Sequence, residues 1–440
     1  MIAPRVGCIA DDFTGATDVA NSFARSGMRT VLAVGVAGLA ADLEANAVVV
    51  ALKSRTIASD EAVRQNLDAC RALRKLGVRQ IYQKICSTFD STLEGNIGPV
   101  LEALMDELGC AFSVVAPAFP ENGRTVYRGH LFVHDMLLSE SSMSRHPLTP
   151  MTDSNLLRVL AGQLRSVPRR QIGLLSEAIV STCEDHLRRE FVALEARGCT
   201  IAIADTIADA DLERLAGALD DSALVCASAG LAGYLPVQWG FAPSEDTVLL
   251  PQPRGRSAIL AGSCSEATNR QVQHFIANGG MGFRLDPMEL AVDARGTVAR
   301  VLLWSETQWR INPEQPLLVY STAASPSVFA VQERLGMQNA GMLVEHALGE
   351  VAVAWMQCDV RRLIVAGGES SGACVQALEV SQLRIGPQID PGVPWCYADA
   401  AKHAPGGLHL ALKSGNFGSD ALFSKALALL AEETSNERMR

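Results

Sequence analysis

Short runs of β-branched and other apolar residues recur along the chain, each closed by a Gly, Asp or Ser turn and followed by a stretch with helical periodicity. In the first half these runs fall at 6–10, 30–34, 47–52, 80–83, 113–116, 200–204 and 223–227. Strands that are apolar throughout belong to parallel sheets buried on both faces, and their alternation with helices predicts an α/β architecture. Ala16, Val19, Ala20 and Phe23 share one face of a helix predicted over 14–25, which Gly27 stops. A second helix over 59–76 repeats the design, with Ser59 as its N-cap and Gly77 at its end. From 238 to 256 the periodicity fails, and Pro243, Glu245, Asp246, Pro251, Pro253 and Gly255 stand in its place. This predicts a linker over 241–256 between domains spanning 1–240 and 257–440. A second series of strands follows at 257–261, 317–320, 363–366 and 408–412. The expected fold is α/β, two domains, each a largely parallel sheet flanked by helices, with an active-site cleft between them.

Composition narrows the function classes. At 440 residues, with 48% hydrophobic and 20% charged residues, the chain has the make-up of a globular enzyme and not of a disordered, collagenous or coiled-coil protein. Thirty-eight Lys and Arg against 48 Asp and Glu leave a net charge of -10, which repels a polyanion, so no nucleic acid partner is expected. The eleven cysteines are scattered and never form CxxC, as expected of reduced thiols in a cytoplasmic protein. No basic region with a long apolar run opens the chain, and no apolar run approaches the roughly 20 residues of a membrane helix. Neither a secretory signal nor a membrane partner is expected.

The candidate chemistry sits where strands end. Strand 6–10 runs into Asp11 and Asp12, 47–52 into Lys53, Ser54 and Arg55, and 80–83 into Lys84, Ser87 and Asp90. In a parallel sheet these residues converge on one rim, the side on which α/β sheets bind ligands. Cations, hydroxyls and carboxylates together suit a small polyhydroxy acid: an Arg fork takes its carboxylate and Asp takes its hydroxyls. Asp12 alone is equally well read as a helix cap. Adjacent like charges are expected to raise one pKa of the pair, and Asp12 is assigned as general base ahead of Asp90. Gly95–Pro99 opens a helix whose free N–H groups could hold an anion, although turn chemistry also explains its glycines. Arg124, in a long loop, is a further candidate substrate contact. His130 and His134 have helical spacing but no third ligand nearby, and Cys86 and Cys264 have no neighbouring His.

In the second half, three strand ends are small and hydroxyl-rich: Ser263 and Ser265 after 257–261, Gly367, Gly368, Glu369 and Ser370 after 363–366, and Lys413 with Gly415 after 408–412. Such turns let the backbone approach a polyphosphate, with Lys413 as counter-charge. No GxxxxGK[ST] and no GxGxxG after a strand occurs, which sets aside a P-loop fold and a dinucleotide-dependent dehydrogenase.

The stretches CIADDFTGATDVANSFARSG, YQKICSTFDSTLEGNIGPV, APAFPENGRTVYRGHLFV, AGSCSEATNRQV, GGESSGACVQAL with IGPQIDPGVPW, and LALKSGNFG resemble the four-carbon acid sugar kinases, in order, from about residue 5 to 425. The form STFDST followed by GNIGPV is most like the family's 3-oxo-tetronate branch, with the threonate and erythronate kinases as alternatives. The resemblance implies an N-terminal acid-sugar-binding domain, a C-terminal ATP-binding domain, and phosphoryl transfer from ATP, as its Mg2+ complex, to a terminal hydroxyl. It places the ATP contacts at Ser263 or Ser265, the turn from Gly367 to Ser370, and Gly415. Ser370 stands where the family carries Thr, which keeps the hydroxyl. A non-catalytic sugar-acid-binding protein would need the acidic rim but not the three phosphate-type turns. Which residue binds a metal is not readable, and a homodimer is one of the assemblies the sequence allows.

Overall fold

The computed structural model describes residues 3–40, 43–145, 149–219, 221–322, 336–399 and 401–437; for 337–338 and 431–437 it describes the backbone alone. The chain divides into two compact units, Met1–Val248 and Leu249–Arg440.

The first unit runs β1 (Val6–Ala10), α1 (Phe13–Arg25), β2 (Thr30–Val34), β3 (Ala47–Ala51), α2 (Ser59–Lys75), β4 (Gln80–Lys84), α3 (Ile97–Leu108) and β5 (Ser113–Ala116). A hairpin sheet of β6 (Arg124–Tyr127), β7 (His130–Val133) and β8 (Met136–Leu137) follows, then α4 (Leu156–Gln163) and β9 (Gln171–Leu175). The unit closes with α5 (Glu177–Val180), α6 (Glu184–Ala196), β10 (Cys199–Ala204), α7 (Asp209–Ala218), β11 (Leu224–Ala227), α8 (Ala229–Ala232) and α9 (Leu235–Gln238). Its main sheet has the order β2-β3-β1-β4-β11-β5-β10-β9, and every pairing in it is parallel. All residues of β1, β3 and β4 are buried; the unbroken apolar runs of β1 and β3 require this when helices cover both faces, and β4 buries Gln80, Gln83 and Lys84 as well. Ala16, Val19, Ala20 and Phe23 of α1 are fully buried on one face, while Leu73, Leu101, Leu104 and the strand residues Ile9, Val48, Val50 and Ile81 share a core on the other.

The second unit runs β12 (Arg256–Ala261), α10 (Glu266–Ala277), β13 (Met281–Arg284), α11 (Pro287–Ile311), β14 (Leu317–Tyr320), α12 (Met337–Gln357), β15 (Val360–Ala366) and α13 (Gly368–Ala377). It ends with β16 (Gln382–Asp390), β17 (Val393–Ala398), β18 (Leu408–Lys413) and α14 (Leu422–Glu437). Its strand order is β13-β14-β12-β15-β18-β17-β16, parallel from β13 to β18 and antiparallel through β17 and β16.

In both sheets the chain first fills one side of the opening strand and then the other. The order therefore reverses between β1 and β4 and between β12 and β15, and such switch points open crevices at the carboxyl ends of the strands. Register sets Ala10 opposite Lys84 and Ala51, and Ala261 opposite Ala366, so the neighbouring strands end level.

Three local expectations change. Ala58 is the N-cap of α2, and Ser59 is its first helical residue, its hydroxyl buried without a partner. His130 and His134 lie on and after a hairpin strand, not on a helix, because β7 pairs with β6 and β8. Residues 241–256 include a 3-10 turn at Glu245–Thr247 and the first residue of β12, and the Thr247 hydroxyl donates to the Ala24 carbonyl, so the stretch is tied to the end of α1.

Candidate active site

In the first unit, β1 delivers Asp11 and Asp12 to the switch point, and α1 begins one residue later. Asp12 is the N-cap of α1: its Oδ1 accepts from the Gly15 N–H at 3.0 Å and its Oδ2 from the Thr14 hydroxyl at 2.8 Å. The capping reading is thus realised, and Asp12 carries an ion pair as well. Arg55 donates Nε and Nη2 to the two oxygens of Asp11 at 2.9 and 2.7 Å, Nη2 also to Asp12 at 2.7 Å, and its Nη1 lies 3.6 Å from Asp90. The fork expected to take a substrate carboxylate is therefore already filled by Asp11. A Cβ at position 15 would lie 2.2 Å from Asp12 Oδ1 and 2.9 Å from Lys84 Nζ, so any other residue there has to displace these two groups.

Lys84 is buried at the end of β4, with its Nζ donating to the Ile85 carbonyl at 2.9 Å. Beyond it, Ser87 and Asp90 are also buried, and the Thr149 hydroxyl donates to Asp90. Phe89 between them has φ +48, a left-handed backbone that costs a bulky residue about 1–3 kcal/mol and marks a loop held by its surroundings. Behind Arg55, a cavity of about 20 Å³, room for one water, is lined by Asp11, Arg55, Lys84, Asp90 and Asn96.

Burial pushes the Asp11 carboxyl above its ordinary value, with Arg55 opposing and Asp12 adding to the rise. Burial also acts upward on Asp12, but Arg55 and Lys84, with the Thr14 and Gly15 hydrogen bonds, outweigh it and hold the carboxyl below its ordinary value. One member of the pair is raised, but it is Asp11 and chiefly through burial, whereas Asp12, the assigned base, is lowered: Arg55 and Lys84 act on both carboxyls, and Asp12 has the Thr14 and Gly15 cap donors in addition. At the helix after Gly95, Pro99 has no N–H and two of the first-turn donors are already used. The Gly98 N–H is taken by Gln163 at 2.8 Å and that of Val100 by the Asn96 carbonyl.

Sequence reasoning missed the residues that hold this rim. The Asn96 side chain donates to the carbonyls of Ser54, Arg55 and Ile57, fixing the loop that carries Arg55. Thr149 reaches Asp90 from 59 residues away, and nothing near it in sequence signals that pairing.

In the second unit, the three expected turns are knitted together at the other switch point. The N–H groups of Gly262 and Ser263 donate to the Ala366 carbonyl, and that of Gly367 donates to the Lys413 carbonyl. Ser265 caps α10 and donates its hydroxyl to the Gly415 carbonyl at 2.5 Å. Gly367 has φ +128, and a Cβ there would sit 3.1 Å from the Ser263 N–H, so the residue allows both the turn and the close approach. It places the bare N-terminus of α13, with Gly368, exposed Glu369 and Ser370, beside Ser263. Lys413 does not face out as a counter-charge. It is fully buried, and its Nζ donates to Thr268 Oγ1, Gln271 Oε1 and the Gly415 carbonyl at 2.7–2.8 Å. Burial pushes its pKa down to about 7, so it braces the turn that carries Gly415.

Among the described residues no group of three or more His, Cys, Asp or Glu is placed to hold a metal by itself, and no helix is long and apolar enough to cross a membrane. A magnesium ion carried on phosphates does not need such a cage, since it keeps most of its waters. A carboxylate-rich rim in one α/β unit and a helix N-terminus framed by hydroxyl turns in the other define a small-molecule phosphotransferase. Comparison with known proteins agrees. A family model described as a sugar-binding N-terminal domain matches residues 6–235, and one described as a nucleotide-binding C-terminal domain matches residues 258–423. The chain belongs to the four-carbon acid sugar kinase family. It is 49% identical to a 3-oxo-tetronate kinase of Pseudomonas fluorescens, over 97% of either chain, and 38% identical to one of Haemophilus influenzae, over 96% of this chain and 98% of the other. A crystal structure from Salmonella typhimurium LT2, provisionally described as a tRNA synthase, is 38% identical with a TM-score of 0.82, covering 96% of this chain and 98% of that one. That likeness carries the fold and not the activity.

Proposed function

We propose that the protein phosphorylates the terminal, C4 hydroxyl of a four-carbon sugar acid from ATP, with 3-oxo-tetronate as its acceptor. The observation that carries this reading is the convergence of Asp11, Asp12, Arg55, Lys84 and Asp90 at the switch point of the sugar-binding unit. Threonate and erythronate are the alternative acceptors. The reaction belongs to small-molecule catabolism in the cytoplasm, with residues 1–240 holding the acid, 257–440 the nucleotide, and 241–256 joining them.

ATP bound as its Mg2+ complex supplies the phosphoryl group and the counter-charge. On the protein side, the α13 N-terminus and the hydroxyls of Ser263 and Ser370 are the donors suited to phosphate oxygens, with Glu369 beside them, while Ser265, whose hydroxyl is bonded to the Gly415 carbonyl, shapes the turn. Lys413 holds Gly415 in place from behind. In the acid-binding unit, Lys84, Ser87 and Asp90 bind and orient the acceptor, while Arg55 locks Asp11 and Asp12. Asp12 accepts the hydroxyl proton. Its side chain is 22% exposed against 8% for Asp90, so it is the more open of the two. A depressed pKa suits this role, because a loose phosphoryl-transfer transition state asks the carboxylate chiefly to orient the nucleophile.

The test is ADP release over a panel of four-carbon sugar acids, with turnover expected for 3-oxo-tetronate. Asp12→Asn is expected to lower kcat about 100-fold or more at nearly unchanged ATP affinity. Near-normal kcat in Asp12→Asn, with activity abolished in Asp90→Asn, would exchange the two roles.

A further inference from the structure

Arg124 opens β6 just after the 3-10 turn Pro120–Asn122, and its backbone pairs with Phe119 in both directions. Its guanidinium is poorly provided for. Nη1 donates to the Asn122 carbonyl, Nε is shielded from solvent without a partner, and no carboxylate among the described residues lies within ion-pair distance. Arg55 on the same rim meets three carboxylates. Burial depresses the Arg124 pKa, while Cys86 and Asp18 act in the opposite sense. A shielded guanidinium with unfilled donors is costly until an anion completes it.

Two further polar groups are left open by the same surroundings. Asp18, on the second turn of α1, is 4% exposed, and its Oδ1 has no hydrogen-bond partner. It interacts electrostatically with Lys84, Asp12, Glu121 and Arg124, and burial raises its pKa to about 7. Asn122 Nδ2 is likewise buried without a partner. An unfilled cation, an unfilled amide donor and an unfilled carboxylate oxygen thus come from β6, the preceding turn and α1, and Asp18 links them electrostatically to Asp12. Unpaired buried groups are uncommon in folded proteins, and a cluster of them points to a missing ligand.

We propose that Arg124, with the Asn122 amide, takes the carboxylate of the sugar acid, while Asp18 Oδ1 accepts one of its hydroxyls. This rests on the acceptor class proposed above and moves the carboxylate contact from Arg55, whose fork Asp11 fills, to Arg124. The guanidinium supplies parallel N–H donors matched to a carboxylate.

Calorimetric titration of the full chain with threonate, erythronate and 3-oxo-tetronate, alongside ADP release, tests the assignment. R124Q is expected to weaken acid binding about 10–100-fold, as for loss of a charged hydrogen-bond pair, with ATP affinity unchanged and R124K recovering part of the loss. Equal acid affinity in wild type and R124Q overturns the proposal, as does failure of the wild type to bind any of the three acids. Should R124Q not fold, R124K decides: weaker binding of the acid but not of its neutral amide supports the contact, and equal changes for both overturn it. The kinase reading fails on a different result, Arg124-dependent binding of the acid without ADP release.

Discussion

Lys413 shows how a residue can serve a site without facing its ligand. Its three N–H groups are matched by three acceptors on α10 and on the turn after β18. Lys413→Met keeps the apolar stem but strips the buried Gln271 oxygen of its donor and removes one donor from Thr268 and Gly415, a penalty of about 1–3 kcal/mol. We expect the KM for ATP to rise about 10-fold with the KM for the acid unchanged, measured by steady-state kinetics with each substrate varied. Equal changes in both constants would make Lys413 a general stability residue. From sequence, Lys413 could be placed at a strand end because that depends on local pattern. Its burial could not, since it is set by Thr268 and Gln271, about 140 residues away. The same holds for Arg55, whose position was legible but whose pairing with Asp11 required the neighbouring strand.

At the scale of elements, β18 carries a titratable group in its core. His409 is 2% exposed, its Nε2–H donates to the Pro251 carbonyl, and its ring packs against Trp395 and Tyr397. Burial lowers its pKa to about 4, with Arg362 and Arg384 adding to the fall. The unfolded chain takes up a proton near pH 6.5 while the folded chain resists until about pH 4. Stability from this group is therefore full above pH 6.5 and is lost as pH falls toward 4. Between pH 7 and 5 the wild type should lose about 2 kcal/mol more than His409→Gln, which keeps a donor for Pro251. Urea unfolding at the two pH values measures the difference, and equal losses would refute the assignment. The strands that sequence located, such as β1, β3, β15 and β18, are those buried on both faces, where the apolar run is unbroken. Two of those it missed lack that signal: β13 is a mostly exposed edge strand, and β16 mixes Gln, Arg and Pro with apolar residues.

At the scale of the whole molecule, the parallel parts of both sheets were legible because most of their connections are a strand, a turn and a covering helix. The antiparallel β16 and β17 and the hairpin β6 to β8 were not, since their partners follow in sequence without a helix to announce them. Hydrogen exchange offers a direct check on the division of labour. ATP alone should slow amides in 262–268, 367–370 and 413–418, and a four-carbon sugar acid alone should slow those in 11–15, 53–57 and 84–91. Protection of both sets by either ligand would contradict it. Each set of turns draws its side chains from one unit and from one reversal of strand order. Substitutions in the two sets fall in separate compact units, and their costs to ground-state binding should add. Acceptor choice can then drift, by changes confined to the first 248 residues, without the machinery that holds the nucleotide having to change with it.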